Sequence, residues 1–237
     1  AVQTMAAEGF RVLGVGTTTM QGDAYPATQH ELTFDFKGLV AFYDPPKKNI
    51  APVFQSFYQA GIKVKIITGD NAATTTTIAK QVGFEGADNH SDGETIMQLE
   101  GEALNKKVAA TSIFTRMFPE AKLKVINALK DSKEIVAMTG DGVNDGPALK
   151  AAHIGIAMGK KGSDLAKRAS SLILMDDDLS SMVDAVAMGR KIYTNIKKAI
   201  QYVISIHIPI VLTVFLPLAL GWVYPNIFTP VHVIFME

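Results

Sequence analysis

The sequence predicts an α/β fold with a largely parallel sheet, followed by transmembrane helices. Short apolar segments alternate with helical segments along most of the 237 residues, which is typical of a parallel sheet covered by helices on both faces. A loop dense in glycine, aspartate and asparagine follows one of these segments at 139–146. Residues 200–222 contain no Asp, Glu, Lys or Arg, and such a span can cross a bilayer core of about 30 Å.

The elements are predicted in chain order from hydrophobic period and turn residues. A helical start precedes a strand at 11–16, a polar loop covers 21–30, and alternating apolar residues predict a strand at 32–42. Helical spacing predicts a helix at 49–60 that ends at Gly61. Further strands are predicted at 63–67, 112–115, 135–138, 154–158 and 172–174, and further helices at 73–82, 101–109, 119–132, from Pro147 onward, and from Met182 into the apolar span.

The loop after the predicted strand 135–138 is the first candidate site. It places Asp141, Asn144 and Asp145 within five residues, separated by glycines. Mg²⁺ is a hard cation that prefers oxygen ligands, and ligands collect at the carboxyl ends of strands in open α/β sheets. The alternative is a Gly/Asn/Asp turn with solvated acids. The density of the loop favours a metal site that serves phosphate chemistry.

Two further predicted strand ends carry compatible groups. Thr68, Gly69 and Asp70 follow one strand, and Lys122 lies near the start of a helix. A hydroxyl and backbone amides can hold phosphoryl oxygens, and a lysine can neutralise their charge. Taken singly, a Thr-Gly-Asp is commonly a turn and such a lysine is commonly solvated. Their joint order along alternating α/β units favours phosphoryl transfer.

Composition limits the classes of partner. The 23 basic and 23 acidic residues cancel, which argues against nucleic acid as a partner. Cysteine is absent, which excludes disulfides and thiolate metal sites. The chain begins at Ala1 and stops at Glu237 within an apolar segment. We therefore expect an internal fragment whose N-terminal part belongs to the same polypeptide.

The C-terminal region has the pattern of a membrane segment. The helix before the apolar span carries Arg190, Lys191, Lys197 and Lys198, which fits a cytoplasmic flank. Trp222 and Tyr224 suit an interfacial belt, and 227–237 begins a second apolar segment. The alternative is a buried pair of core helices. We expect an integral membrane protein that contacts the lipid bilayer.

Several strings together resemble one known family. They are 44–47, 67–71, 116–119 with Lys122, 139–145, 155–159, 176–178 and 189–195. In this order they resemble the phosphorylation domain and adjoining membrane helices of P-type cation-transporting ATPases, in the calcium-pump and sodium-pump-like branch. The resemblance covers nearly the whole chain and implies a haloacid dehalogenase-like, Rossmann-type parallel sheet followed by transmembrane α-helices.

The resemblance also implies a division of the chain and a location. Residues 1–31 would end the nucleotide-binding domain, and 32–185 would form a phosphorylation domain that lacks its N-terminal nucleophile strand. Residues 186–237 would be a stalk and two transmembrane helices, the second truncated. Residues 1–195 would be cytoplasmic, and the style of the sequence suggests a bacterial plasma membrane.

The resemblance implies roles for the loop residues. Asp141 resembles the Mg²⁺ ligand, and Asn144 and Asp145 resemble its close supports, with Asp145 orienting the metal site. Thr68 and Gly69 resemble the turn that holds phosphate. Magnesium is the implied cofactor.

It also implies residues that meet the nucleotide. Lys122 resembles the lysine that pairs with the transferred phosphoryl group, and Asp70 lies near the phosphate turn. Arg11 resembles an arginine that meets ATP phosphates, and Asp44 resembles a hinge residue near the ribose. ATP is the implied substrate.

Two strings of the family do not occur in this sequence. They are the nucleophile string Asp-Lys-Thr-Gly-Thr and the Thr-Gly-Glu string that directs dephosphorylation. The chain therefore carries the electrostatic half of the site without the covalent half. We expect no turnover from it alone.

The transported cation stays open at the level of sequence. Glu237 is the one acid within 200–237, and His207 and Ile210 stand where the calcium-pump pattern has an asparagine and a glutamate. His207 is either a ligand or proton carrier, or a residue that bonds a backbone carbonyl. Calcium, another divalent ion, a monovalent cation and a proton all fit.

Two other functions compete with an ion pump. A soluble haloacid dehalogenase-like phosphatase needs no membrane helix, so the span 200–222 argues against it. A non-catalytic anchor with a nucleotide-sensing domain does not need the set Asp141, Asp145 and Lys122. The sequence upstream of Ala1 separates the three.

Overall fold

A computed structural model describes residues 2–20, 26–43 and 45–221. Contacts divide the chain into two compact units, Ala1–Val183 and Asp184–Glu237. The helices within the described residues are α1 Val2–Ala7, α2 Ile50–Gln59, α3 Ala72–Gln81, α4 Gly93–Gln98, α5 Gly101–Ala110, α6 Pro119–Asp131, α7 Gly146–Ala151, α8 Asp164–Ala169 and α9 Ser180–Ala219. The strands are β1 Arg11–Thr17, β2 Asp35–Phe42, β3 Ile66–Ile67, β4 His90–Asp92, β5 Ile113–Thr115, β6 Ala137–Gly140, β7 Ile154–Met158 and β8 Leu172–Leu174.

The strands of the first unit form three sheets rather than the single sheet predicted from sequence. β1 and β2 make an antiparallel ribbon in which Arg11 lies opposite Phe42. The other two sheets are parallel and three-stranded, with orders β3-β5-β4 and β6-β7-β8. The predicted α/β class with parallel sheets is confirmed; within the described residues β3 and β6 do not pair, so the parallel strands lie in two sheets.

The sheet β3-β5-β4 is covered on both faces. Successive side chains of a strand point to opposite faces, and neighbouring residues of β5 enter different clusters. Ile113 packs with Phe54, Phe84 and other residues of the α2 and α3 side. Phe114 packs with residues of α4, α5 and α6. Both Ile113 and Phe114 are fully buried, so this short strand is the centre of the core.

The sheet β6-β7-β8 shares helix α6 with its neighbour. Ile126 of α6 joins a cluster with Met138 and Leu149, whereas Val125 faces the cluster around Phe114. Ile67 and Leu129 pack against both clusters, so one continuous apolar layer links the two sheets. At the far edge, Leu172 and Ile173 of β8 are about half exposed, so coverage of both faces does not extend to this edge.

Some elements differ from their predicted bounds for local reasons. The predicted strand 63–67 shortens to two residues, and the Lys65 ammonium instead bonds the carbonyls at the end of α5. Burial lowers the pKa of Lys65, and the charge of Lys63 adds to that. Strand β4 and helices α4 and α8 were not predicted. Their N-caps Asp92 and Ser163 each accept a backbone N–H three residues on, which is the signal that could have revealed the helices.

The predicted boundary between residues 31 and 32 falls between β1 and β2, which pair with each other. It stays a prediction, as do the other domain bounds.

The described part of the second unit consists of most of α9. Within the described residues, one helix contains a candidate membrane span, Ser180–Thr213, by length and composition, with a mean hydropathy of 1.2. The helix continues through Pro209, and the Thr213 hydroxyl donates to the Pro209 carbonyl at 2.6 Å. The predictions for Trp222, Tyr224 and 227–237 lie outside the described residues.

Candidate active site

The predicted site loops follow the edge strands of the two parallel sheets. Thr68 comes directly after β3, and Asp141 comes directly after β6. Each of these strands is the outer strand of its three-stranded sheet. Both loops therefore lie at carboxyl ends of parallel strands, where α/β sheets bind ligands.

A buried ion pair joins α6 to the loop after β6. The Lys122 ammonium donates to Oδ1 of Asp145 at 2.7 Å, and the two side chains are only 13% and 11% exposed. Removing one partner of such a pair leaves an uncompensated charge, which is strongly unfavourable. Of the predicted site residues, this pair is in direct side-chain contact across distant elements.

Asp145 also shapes the loop that contains it. Its Oδ2 accepts the Gly142 N–H at 3.1 Å, and its own N–H donates to the Gly142 carbonyl at 3.2 Å. A Cβ on Gly140 would lie 2.7 Å from the Asp145 Cβ. The absence of a side chain at Gly140 therefore lets Asp145 approach the strand end closely.

The Thr68 turn is held by bonds to β5 and to the start of α6. The Thr68 N–H donates to Phe114, and the Thr68 carbonyl accepts from Met117, both at 2.9 Å. The Asp70 N–H donates to the Thr68 hydroxyl oxygen at 3.1 Å, while the hydroxyl is 3.3 Å from Asp70 Oδ2. Because Met117 lies two residues before α6, the turn is tied to the helix that carries Lys122.

Asp141 and Asn144 are exposed, as a site open to a soluble ligand requires. The Asp141 carbonyl accepts the Ser163 N–H at 2.8 Å, which orients the residue through its backbone and leaves the carboxylate accessible. Within the described residues there is no group of three or more Asp, Glu, His or Cys side chains that could hold a metal. Mg²⁺ is commonly bound by one or two carboxylates together with water and substrate phosphates; the exposed Asp141 carboxylate is of this kind, whereas both Asp145 oxygens already accept from Lys122 and Gly142.

The remaining predicted site residues are found elsewhere in the sequence. Arg11 begins β1 in the antiparallel ribbon, and no hydrogen bond or ion pair among the described residues links its side chain to Lys122 or Asp145. His207 lies in α9, where Nδ1 is 2.9 Å from the Val203 carbonyl. Asp44 and Glu237 lie outside the described residues.

Sequence reasoning missed a second polar cluster, formed by two segments far apart in the chain. The Asn49 amide donates to both carboxylate oxygens of Asp178 at 2.8 and 3.0 Å, and Lys47 donates to the Asp177 carbonyl. Backbone N–H donors lower the pKa of Asp177, chiefly that of Lys160, and the Ser180 N–H chiefly lowers the pKa of Asp178. The strings that contain Lys47 and Asp177–Asp178 were noted in the sequence, but no local signal pairs them.

Comparisons with known proteins agree with this architecture. The family model of haloacid dehalogenase-like hydrolases matches residues 6–153. The chain is 37% identical to a calcium-transporting ATPase of Bacillus cereus over 100% of its own length and 27% of that protein. It is 42% identical to a calcium-transporting ATPase of Lactococcus lactis over 84% of the chain and 23% of that protein. A cation-transporting ATPase of Synechocystis is 38% identical over 87% of the chain and 23% of that protein.

The chain thus spans about a quarter of the length of these relatives. The family match covers more than half of the chain and includes β3, β6 and the loops that follow them. The chain therefore belongs to the haloacid dehalogenase-like hydrolases, and over its length it resembles a segment of the P-type cation-transporting ATPases.

Proposed function

We propose that this chain is the phosphorylation region and a following membrane helix of an ATP-driven cation pump. In the whole protein, Mg²⁺-dependent phosphoryl transfer from ATP to an aspartate outside residues 1–237 would be coupled to ion transport. The observation that carries the proposal is the largely buried pair of Lys122 and Asp145, whose loop also contains the exposed Asp141. That arrangement provides a cation and acidic oxygens at one strand end.

Lys122 can bind phosphate without losing its ion pair with Asp145. An ammonium group has three N–H donors, so the bond to Asp145 leaves two for phosphoryl oxygens. Asp145 then keeps the lysine aimed at the strand end. The Thr68 hydroxyl and the exposed backbone of Gly69 are further donors for the same oxygens. Magnesium held by Asp141 and Asp145, with Asn144 as a neighbouring support, would offset the negative charge of the phosphates.

The split between the two parallel sheets supports a missing strand. β3 and β6 are edge strands, each followed by one of the two loops of the proposed site. A strand paired with both would join the sheets and bring its carboxyl end between Thr68 and Asp141. We assign that place to a strand of the preceding polypeptide that carries the nucleophilic aspartate.

The nucleotide would use residues outside this centre. Arg11 is exposed at the start of β1 and offers a guanidinium for ATP phosphates. Asp70, bonded to the Thr68 turn, and Asp44 would contact the nucleotide near its ribose or phosphates.

The membrane part of the proposal rests on α9. It contains the candidate span Ser180–Thr213, whose part from residue 200 onward carries no Asp, Glu, Lys or Arg. We place residues 1–195 in the cytoplasm and the helix in a bacterial plasma membrane. His207 is proposed for the ion path together with Glu237: with Nδ1 donating to Val203, Nε2 keeps a lone pair for a cation. The names of the relatives favour calcium as the first cation to test.

The test uses the full-length polypeptide in sealed membrane vesicles. Radiolabelled ATP with Mg²⁺ should yield an acid-stable, hydroxylamine-sensitive phosphoprotein, and the vesicles should accumulate labelled Ca²⁺ or another cation. Asp141→Asn and Lys122→Met should each reduce phosphoprotein by at least about tenfold. Asp164→Asn, which neutralises an exposed carboxylate in the first turn of α8, is the matched control.

Two results would reject the proposal. One is a wild-type protein that forms no phosphoprotein under any cation. The other is hydrolysis of a simple aryl phosphate by the isolated chain at rates that depend on Asp141, which would identify a soluble phosphatase instead.

A further inference from the structure

Asp177 occupies a strained and buried position just before α9. It is 6% exposed and has a φ of 57°, a left-handed conformation that aspartate tolerates better than most residues. Its two carboxylate oxygens accept the N–H groups of Lys160 and Lys161, each at 2.9 Å. A buried carboxylate with a backbone donor on each oxygen holds the loop after β7 rigidly against this turn.

The same loop reaches the proposed magnesium residue. Three residues after Lys160, the Ser163 N–H donates to the Asp141 carbonyl at 2.8 Å. The loop between them is tightly closed, because a Cβ on Gly162 would lie 2.0 Å from the Met158 carbonyl oxygen. A displacement of the Asp141 backbone therefore acts directly on the segment that Asp177 holds.

Asp178 bonds both the start of α9 and the segment before α2. Its Oδ1 accepts the Ser180 N–H at 2.9 Å and so caps the first turn of α9. The Asn49 amide donates to the same carboxylate from the segment before α2. The Asp178 carboxylate thus ties the start of α9, which lies in the first unit, to the segment before α2.

We propose that Lys47, Asn49, Asp177 and Asp178 form a joint that couples the Asp141 loop to the start of α9. The joint rests on the proposed function, because its purpose is to pass changes at the phosphoryl site to the membrane helix. Its members are positioning residues that do not touch the phosphoryl group. Coupling through the joint depends on the complementary donor and acceptor at positions 49 and 178.

Swapping the two side chains between positions 49 and 178 tests the joint in the chain itself. Asn49→Asp places two carboxylates against each other, whereas Asn49→Asp with Asp178→Asn restores one amide donor and one carboxylate acceptor. The residue at 178 can still accept from Ser180, since an asparagine side chain keeps a carbonyl oxygen. We expect Asn49→Asp to raise amide hydrogen exchange at 179–184 by about tenfold, and the double variant to return it to within about threefold of wild type.

The functional arm uses the full-length protein in vesicles and measures two quantities separately. Asn49→Asp should keep phosphoprotein formation from ATP within about threefold while lowering Ca²⁺ accumulated per ATP hydrolysed by at least fivefold, and the double variant should recover the ratio. Asn127→Asp, which adds a carboxylate at an exposed position of α6, is the control for the added charge. A purely structural role would lower both quantities together.

The outcomes distinguish failure of the proposed joint from failure of the proposed pump function. The joint is rejected if amide hydrogen exchange at 179–184 is unchanged in Asn49→Asp. It is also rejected if the double variant restores neither this hydrogen exchange nor the ratio of Ca²⁺ accumulated to ATP hydrolysed. A transport ratio unchanged in Asn49→Asp also rejects it. If wild-type vesicles form no phosphoprotein, the proposed function fails and the coupling role of the joint fails with it. The hydrogen-exchange measurement still reports whether Asn49 and Asp178 hold the start of α9.

Discussion

The ammonium of Lys122 lies 2.7 Å from Oδ1 of Asp145, although the two residues are 23 positions apart. Both side chains are nearly buried, and neither charge would be tolerated there alone. The pair therefore places a helix residue and a loop residue at the same strand end, where the proposed phosphoryl chemistry needs both a cation and acidic oxygens. Four of the following predictions concern this centre or residues linked to it.

The Lys122–Asp145 pair should show strong coupling in a double-mutant cycle. Lys122→Met leaves the Asp145 carboxylate without its charged donor, while the double variant with Asp145→Asn removes the unpaired charge. We expect a coupling energy of about 1.5–3 kcal/mol, typical of hydrogen bonds to charged groups. Urea unfolding of the four proteins at neutral pH measures it, and additive single effects would contradict a direct pair.

Gly140 should be intolerant of a side chain, unlike Gly142. A Cβ on Gly140 would meet the Asp145 Cβ at 2.7 Å, and Asp145 cannot retreat because it is bonded to Lys122 and Gly142. Gly140→Ala should lower the free energy of unfolding by about 1–3 kcal/mol. Gly142→Ala, whose Cβ would be 3.4 Å from Asp145 Oδ2 at an ordinary φ of −88°, is the matched control. Equal effects of the two changes would argue against the close approach.

The chain alone should bind Mg²⁺ without turning over ATP. The carboxylate of Asp141 is exposed, but the sequence holds no Asp-Lys-Thr-Gly-Thr nucleophile. Calorimetry should detect weak Mg²⁺ binding that Asp141→Ala weakens by at least about tenfold, with Asp164→Asn as control. A phosphate-release assay should find equal background rates for wild type and Asp141→Ala. Steady hydrolysis that disappears in Asp141→Ala would contradict the expectation.

Acid should weaken the fold through Asp177. Backbone donors, first that of Lys160, hold the pKa of this carboxyl below its ordinary value. Its contribution to stability is therefore complete above the ordinary carboxyl pKa of about 4, and it is lost as the pH falls through the lowered pKa of the folded state. Urea unfolding from neutral pH down to about pH 3 should show a steeper loss for wild type than for Asp177→Asn. Parallel curves would show that Asp177 does not contribute.

His207 should affect ion dependence rather than helix formation. Its Nδ1 bonds the Val203 carbonyl, which directs the lone pair of the ring to Nε2. In the full-length protein, His207→Ala should raise the cation concentration for half-maximal ATPase activity by at least about tenfold. Ile208→Ala, the exposed neighbour, is the control. No change for any cation would remove His207 from the ion path.

The local features of this chain could be predicted because their causes are local. Strands β7 and β8 have the predicted bounds, and α2, α3, α5 and α6 begin and end within one residue of theirs. Period, proline at the first turn of α6 and glycine after α2 are all read from neighbouring residues. By contrast, β4 is too short and polar, with the residues His90, Ser91 and Asp92, to have a hydrophobic period.

The candidate site also has features that could be predicted from the sequence and features that could not. The loops after β3 and β6 were predicted as phosphate and metal loops, and the structure places both at carboxyl ends of parallel strands. The direct bond between Lys122 and Asp145 could not be read from spacing. It depends on which face of α6 packs against the sheet.

By itself, the sequence determined the types of element, the reactive loops, the apolar character of α9 and the family. These follow from residue patterns a few positions long, since turns, caps and periodicity act over one or two turns of chain. Only the tertiary structure decided that Asn49 meets Asp178 across 129 residues, that the strands form separate sheets, and that Asp177 is buried. Such contacts depend on the packing of whole elements around Phe114 and Ile126, where burial of apolar surface selects one arrangement among the many that local preference allows.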